Sequence, residues 1–234
     1  MSVFCTVVTC SCMFQTFELK SFWEEQNVAI VFFRRWGCML CRLWAKELGE
    51  IAPVLSKHNI KLIGVGVEEA GSKEFVNGKF FDGDLYYVED LSTYQRLGFK
   101  RFNVVTIITS LFWKQSRDAI FKGRGMGLDS DLIGDGLQNG GALLYRKGGK
   151  LLSHFVQMGP ADRLPNTDIL EHFGLENEYN PETMANRKAE EKECTVPSYV
   201  NIEVMCNLKY CIIDVYQTLD HLSYVNSILY KDFL

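Results

Sequence analysis

The chain has 234 residues, 47% of them hydrophobic and 13% aromatic, which suffices for a packed core and excludes disorder throughout. A net charge of −4 and a pI near 5.6 exclude the basic footprint of a nucleic-acid binder. The longest apolar runs, such as Val28 to Phe33, are strand-sized and fall short of the ~20 residues a membrane-spanning helix needs.

Taken in chain order, Met1 to Phe14 is apolar and uncharged, like the middle of a signal peptide. It lacks a positive leading region, and the first charge is Glu18, so it is not read as one. Thr16 to Trp23 reads as a short strand and turn, capped by the polar run from Glu24 to Asn27. Val28 to Phe33 carries no charge and fits a strand buried on both faces. Cys38 to Leu48 has helical periodicity, with Leu40, Leu43, Trp44 and Leu48 on one face and Arg42, Lys46 and Glu50 pointing elsewhere. Pro53 marks a break or kink. Lys61 to Val67 is a second buried strand and Ser72 to Val76 a short helix. Asp84 to Val88 is a third strand, and Leu91 to Leu97 a helix ended by Gly98. This alternation predicts an α/β domain with parallel strands. Phe102 to Gly127 has no clear period and is read as an insertion. After the glycine-rich loop Gly134 to Gly141 comes a hairpin, Ala142 to Tyr145 and Leu151 to Gln157, turning at Lys147 to Lys150. Asn166 to Phe173 is a helix followed by Gly174. Residues 1–175 are thus expected to form one α/β domain. Residues 176–234, including the charge run Asn186 to Glu193, are expected to be a poorly ordered tail that is not needed for activity.

Eight cysteines stand at positions 5, 10, 12, 38, 41, 194, 206 and 211. They are too sparse for a disulfide scaffold, and suit a reduced, cytoplasmic protein in which one pair is special. That pair is Cys38 and Cys41. A strand feeding into a helix places Cys38 at or near the helix N-terminus, where free backbone N–H groups and the positive dipole end favour a thiolate. Arg34, Arg35 and Arg42 add positive potential nearby, and such settings lower a thiol's ionisation constant. Cys41, about one turn on, is placed to close a disulfide. Two other readings compete: buried inert cysteines, or half of a zinc site completed by Cys10 and Cys12. The second lacks a knuckle-like partner sequence and a nearby histidine, so no metal is expected.

Several segments in order carry a family resemblance: Arg34 to Arg42, Leu62 to Gly66, Leu97 to Asn103, Gly140-Gly141 and His154 to Gln157. Together they resemble the peroxiredoxin-like 2 family, most of all its prostamide/prostaglandin F synthase branch, from about Thr16 to Leu175. The resemblance implies a thioredoxin-like, peroxiredoxin-like three-layer fold with a central mixed sheet. It also implies reduction of the endoperoxides of prostaglandin H2 and its ethanolamide to F2α products, with NADPH as donor and Cys38 and Cys41 as catalytic residues. Cys38 would attack the O–O bond, Cys41 would resolve the adduct as a disulfide, and an external donor would reset the pair. Candidate pocket residues are Arg35, Trp36, Gly37, Gly140 and Gly141, with Trp36, Trp44 and Phe102 as aromatic walls. Sister members point to an alternative, a general antioxidant thiol peroxidase or disulfide reductase, and a third class is a non-enzymatic redox regulator.

The chain departs from related patterns in informative ways. The proline and threonine that ordinary peroxiredoxins carry before the cysteine are Val31 and Arg35 here. No proline lies between Pro53 and Pro160, so Asn139-Gly140-Gly141 take the place of a thioredoxin's cis-proline, either for close backbone approach to sulfur or ligand or as a turn. Met1 to Met13 stands where a regular first strand is expected. Neither Gly64 to Glu69 nor Gly123 to Gly127 completes a dinucleotide fingerprint, so NADPH is expected to act through a thioredoxin and thioredoxin reductase relay. His154 is read as structural, Asp131 and Asp135 as turn residues, and Tyr86 and Tyr87 as strand packing.

Overall fold

A computed structural model describes residues 7–10 (backbone only), 16–88, 90–131 and 133–180. Seven strands form one mixed sheet: β1 (Val7–Cys10), β2 (Thr16–Glu18), β3 (Asn27–Phe32), β4 (Ile60–Gly66), β5 (Asp84–Val88), β6 (Gly141–Arg146) and β7 (Lys150–Val156). Their order is β2-β1-β5-β4-β3-β6-β7. The three central strands β5, β4 and β3 are parallel, while β1 and β2 on one side and β6 and β7 on the other run antiparallel to their neighbours. The helices are α1 (Ser21–Glu24), α2 (Met39–Gly49), α3 (Ala52–Lys57), α4 (Ser72–Asn77), α5 (Ser92–Arg96), α6 (Val104–Leu111), α7 (Lys114–Gly125) and α8 (Asn166–Phe173).

Alternation along the strands sorts the core into two layers, because successive side chains leave a strand on opposite faces. Ala29, Val31 and Phe33 join Leu62, Ala142 and Leu144 on one face, against Trp44, Ala45 and Leu48 of α2 and Ile169 and Leu170 of α8. On the other face Val28, Ile30 and Phe32 meet Ile63, Val65 and Leu143, covered by Phe22 and Trp23 of α1 and Tyr94 of α5. Helices therefore flank a central mixed sheet, the three-layer α/β arrangement expected. Pro53 lies in the first turn of α3, where its missing N–H costs nothing, and separates α3 from α2. The turn between β6 and β7 uses Gly148 and Gly149 at φ +81° and +91°, left-handed values that glycine adopts without strain.

Two expectations are corrected. Val7–Cys10 is a regular strand that pairs with both β2 and β5, so the N-terminal segment does supply a sheet strand. Phe102 to Gly127, where no element was expected, is a helical hairpin. Asn103 caps α6 by accepting the Thr106 N–H at 2.6 Å, and α7 sets Ser116, Ala119 and Gly123 inward, with Ala119 and Gly123 packing against Leu43 and Met39 of α2.

Past Leu175, a short 3-10 turn (Glu176–Glu178) keeps the chain on the domain. Glu178 lies 2.7 Å from both Lys57 Nζ and His58 Nε2, and the Tyr179 hydroxyl donates to Glu50 at 2.8 Å. The expectations for the tail from residue 181 onward, and for Cys12 as a metal ligand, fall outside the described residues.

Candidate functional site

The end of β3 delivers the chain to a tight connection, Phe33 to Gly37, that opens α2 at Cys38. Cys38 is the N-cap, with extended φ −82° and ψ 120°, and its carbonyl accepts the Arg42 N–H at 2.9 Å. This conformation turns its sulfur toward the free N–H groups of the first helical turn. Cys38 and Cys41 are both free thiols. The Cys38 thiol is held well below the ordinary thiol range, first by a hydrogen bond from Cys41 and then by the Arg34 charge and the Leu40 and Cys41 backbone N–H groups. Burial opposes this but does not win. The Cys41 thiol is pushed up by donating that same bond and by burial beside the Cys38 charge. The pair is thus polarised, with the negative charge favoured on Cys38 and the proton on Cys41.

Arg34 supplies the fixed positive charge. Its Nη1 lies 3.7 Å from Cys38 Sγ, while Nε and Nη2 donate to the carbonyls of Gln138 (3.2 Å) and Gly136 (2.7 Å). The Phe102 ring lies under the guanidinium at 5.6 Å. Only 5% exposed, Arg34 is tied to the loop before β6 and cannot swing to solvent. Sequence reasoning counted it among three nearby arginines; its position two residues after a buried strand and four before Cys38 is the signal that sets it apart.

The other two arginines differ. Arg42, expected to point away from the helix's apolar face, is 6% exposed because the loop at 129–131 offers it acceptors: the Asp129 carbonyl at 2.9 Å and the Asp131 carboxylate at 2.9 Å. Its Nε also donates to the Trp36 carbonyl at 3.2 Å, so it braces the turn that presents Cys38. Arg35 is partly exposed, and its stem lies against the loop at Gly134.

Most of the expected pocket residues are packing residues. Trp36 is 2% exposed, donates its indole N–H to the Glu68 carbonyl at 2.6 Å and stacks among Phe33 and Phe75. Trp44 belongs to the same core, and Phe102 serves as the platform for Arg34. Gly37 leaves room for Asp131, whose carboxylate a Cβ there would strike at 1.7 Å. A Cβ at Gly140 would meet the Phe32 carbonyl oxygen at 2.0 Å, and one at Gly141 the Phe155 oxygen at 2.1 Å. These glycines permit close strand approach in the sheet. Asp131 does more than turn the chain, since it holds Arg42; Asp135 pairs with Arg101 and caps the Leu137 N–H. His154 contacts the Leu97 carbonyl at 2.8 Å, a structural role, and Tyr86 packs against Phe17 and Phe22. Unforeseen was Tyr94, fully buried, whose hydroxyl lies 2.9 and 3.0 Å from the Phe33 and Val65 carbonyls and so ties down the end of β3.

Two surface depressions, of about 320 and 510 Å³, are lined by groups such as Lys61 and Asp84, and Lys114 and Arg163; neither includes the cysteine pair. Neither glycine segment forms a dinucleotide-binding turn. Gly64 and Gly66 lie inside β4, where their missing side chains make room for Phe33, Phe81 and Trp36, and Gly123 and Gly125 lie in α7. No group of three or more metal-ligating side chains occurs among the described residues.

Residues 47–158 match the family model described as AhpC/TSA antioxidant enzyme, a span that begins just after the cysteine pair. The prostamide/prostaglandin F synthase of Xenopus tropicalis is 42% identical over 159 residues, covering 68% of this chain and 79% of that protein. Its counterpart in Homo sapiens is 41% identical over 162 residues, covering 69% and 82%. Among solved structures, peroxidoxin BcpB from Mycobacterium tuberculosis has 10% identity and a TM-score of 0.45, covering 74% of this chain and 92% of that one. A Cys-x-x-Cys turn alone recurs across unrelated redox proteins, but identity above 40% through more than three quarters of each relative has one physical source, common descent, and the chain belongs to the prostamide/prostaglandin F synthase family of peroxiredoxin-like proteins.

Proposed function

We propose that this protein reduces the endoperoxides of prostaglandin H2 and its ethanolamide to F2α products through Cys38 and Cys41. The observation that carries the reading is the Cys38 sulfur at the start of α2, with Arg34 Nη1 3.7 Å away and Cys41 one helical turn on, an arrangement that favours the thiolate at Cys38 over Cys41. The Cys38 thiolate attacks one oxygen of the strained O–O bond. An S–O bond forms, the O–O bond breaks, and the second oxygen leaves as an alkoxide that takes a proton. The Cys41 sulfur, as it loses its proton, then attacks the Cys38 sulfur and displaces the remaining oxygen as an alcohol. Two electrons pass from the dithiol to the peroxide, leaving a diol and a Cys38–Cys41 disulfide. A partner dithiol such as thioredoxin restores the pair, and NADPH is consumed at the partner's reductase, in keeping with the poor fit of the glycine segments to a dinucleotide. The relatives' names supply the substrate class.

The test compares wild type, Cys38→Ser and Cys41→Ser on prostaglandin H2, hydrogen peroxide and insulin disulfides, with thioredoxin, its reductase and NADPH supplied. Wild type should turn over prostaglandin H2 to the F2α product. Cys38→Ser should be inactive, and Cys41→Ser should stop after one turnover with an oxygen-linked adduct on Cys38, visible by mass. Full activity in Cys38→Ser overturns the reading, and NADPH oxidation without reductase overturns the relay. A second reading, a general antioxidant thiol peroxidase, is favoured by the AhpC/TSA match, and preference for hydrogen peroxide would select it.

A further inference from the structure

We propose that the α6–α7 hairpin is a docking surface for an anionic phospholipid bilayer. Helix α6 is built inside out. Val104, Val105, Ile108 and Phe112, spaced to share one face, are 58%, 69%, 52% and 74% exposed, whereas the side chain turned fully inward is Ser110. Helix α7 repeats the inversion: Phe121 is 71% exposed, while Ser116, Ala119 and Gly123 face the protein. A contiguous apolar face of this kind is uncommon on a surface that meets only water.

Charge selects the partner. Residues 100–127 contain six basic side chains and one acidic one, net +5, in a chain whose total is −4, so the remainder carries −9. Arg117 and Arg124 stand four before and three after Phe121, on its exposed side, and have no ion pair among the described residues. Apolar and aromatic side chains set among lysines and arginines are what an interfacial helix presents to a membrane: the rings enter the headgroup boundary while the cations meet acidic lipid. Trp113, 47% exposed, anchors the turn between the helices by packing on Gly159. The hairpin also adjoins the cysteine pair, since Phe102 underlies Arg34 and Gly123 sits on Met39, so docking would bring Cys38 near the bilayer surface. The inference stands independently of the reaction proposed above.

The experiment is flotation of the full chain with vesicles of phosphatidylcholine alone or mixed with phosphatidylserine at roughly two to one. Binding is expected only to the mixed vesicles, and it should weaken when salt is raised to ~0.5 M. Phe112→Ser with Phe121→Ser should weaken it by about tenfold or more. Arg117→Gln and Arg124→Gln should each cost about fivefold. Because these side chains are exposed, unchanged circular dichroism and melting should accompany the loss. Absence of binding, equal binding to both vesicles, or binding insensitive to all four substitutions overturns the proposal. So does a dimer by light scattering that Phe112→Ser dissociates, which would make a second copy the occupant.

Discussion

Replacing Arg34 with methionine removes the one charge placed 3.7 Å from the Cys38 sulfur while keeping an apolar stem over Phe102. Two unit charges about 4 Å apart attract by ~4 kcal/mol at an effective dielectric of ~20. The guanidinium spreads its charge over three nitrogens, and two of its donors are engaged by Gln138 and Gly136, so about half of that, ~2 kcal/mol, is a fair share for the sulfur. The thiolate-to-thiol ratio of Cys38 at a given pH should then fall by ~30-fold. Iodoacetamide alkylation, followed by mass spectrometry of the Cys38 peptide across pH, measures this. Using a Cys41→Ser background prevents disulfide formation and keeps a hydroxyl donor. The alkylation midpoint should move to higher pH in Arg34→Met and return most of the way in Arg34→Lys, which restores the charge without the fork. Profiles for Arg34→Met and its parent that coincide within about threefold would refute the electrostatic role. The helix terminus and the neighbour at 41 would then suffice alone.

Three further outcomes follow from the packing. Gly66→Ala would set a Cβ 2.0 Å from the Trp36 ring, and overpacking of this kind should cost ~2 kcal/mol, read as a melting temperature lower by ~4–8 °C. Asn103→Ala removes the acceptor for the Thr106 N–H and should cost ~1 kcal/mol, with faster amide exchange confined to the start of α6. Glu178, held below the usual carboxylate range by Lys57 first and His58 second, carries a depressed value in the folded state. Its contribution is present above the unfolded value and disappears as pH falls through the folded one. Exchange in residues 176–180 should therefore rise below about pH 4, and Glu178→Gln should remove that dependence.

Where hydrophobic residues face a core, the pattern in the sequence was readable. The uncharged run of β3, the apolar runs of β6 and β7 around a glycine turn and the apolar stripe of α2 were each legible, and each element was located within a residue or two. Helices α6 and α7 escaped because their burial is inverted. Small and polar side chains face the protein there and aliphatic and aromatic ones face out, so no apolar stripe marks the buried side. The strand at Val7–Cys10 was missed for another reason: its regularity comes from pairing with β2 and β5.

Local sequence by itself determined that Cys38 stands where a buried strand runs into a helix, beside the free N–H groups and dipole end that favour a thiolate. The tertiary structure alone decided which arginine serves it. Arg34, Arg35 and Arg42 all lie within four residues of Cys38, yet only the loop 136–138, a hundred residues away, holds Arg34 against the sulfur, while the loop 129–131 draws Arg42 off as a brace. The same holds for the expected pocket glycines: Gly37 makes room for Asp131, and Gly140 and Gly141 for β3 and β7 passing close by. Contacts between distant segments depend on the path of the whole backbone, and no window of sequence contains that information.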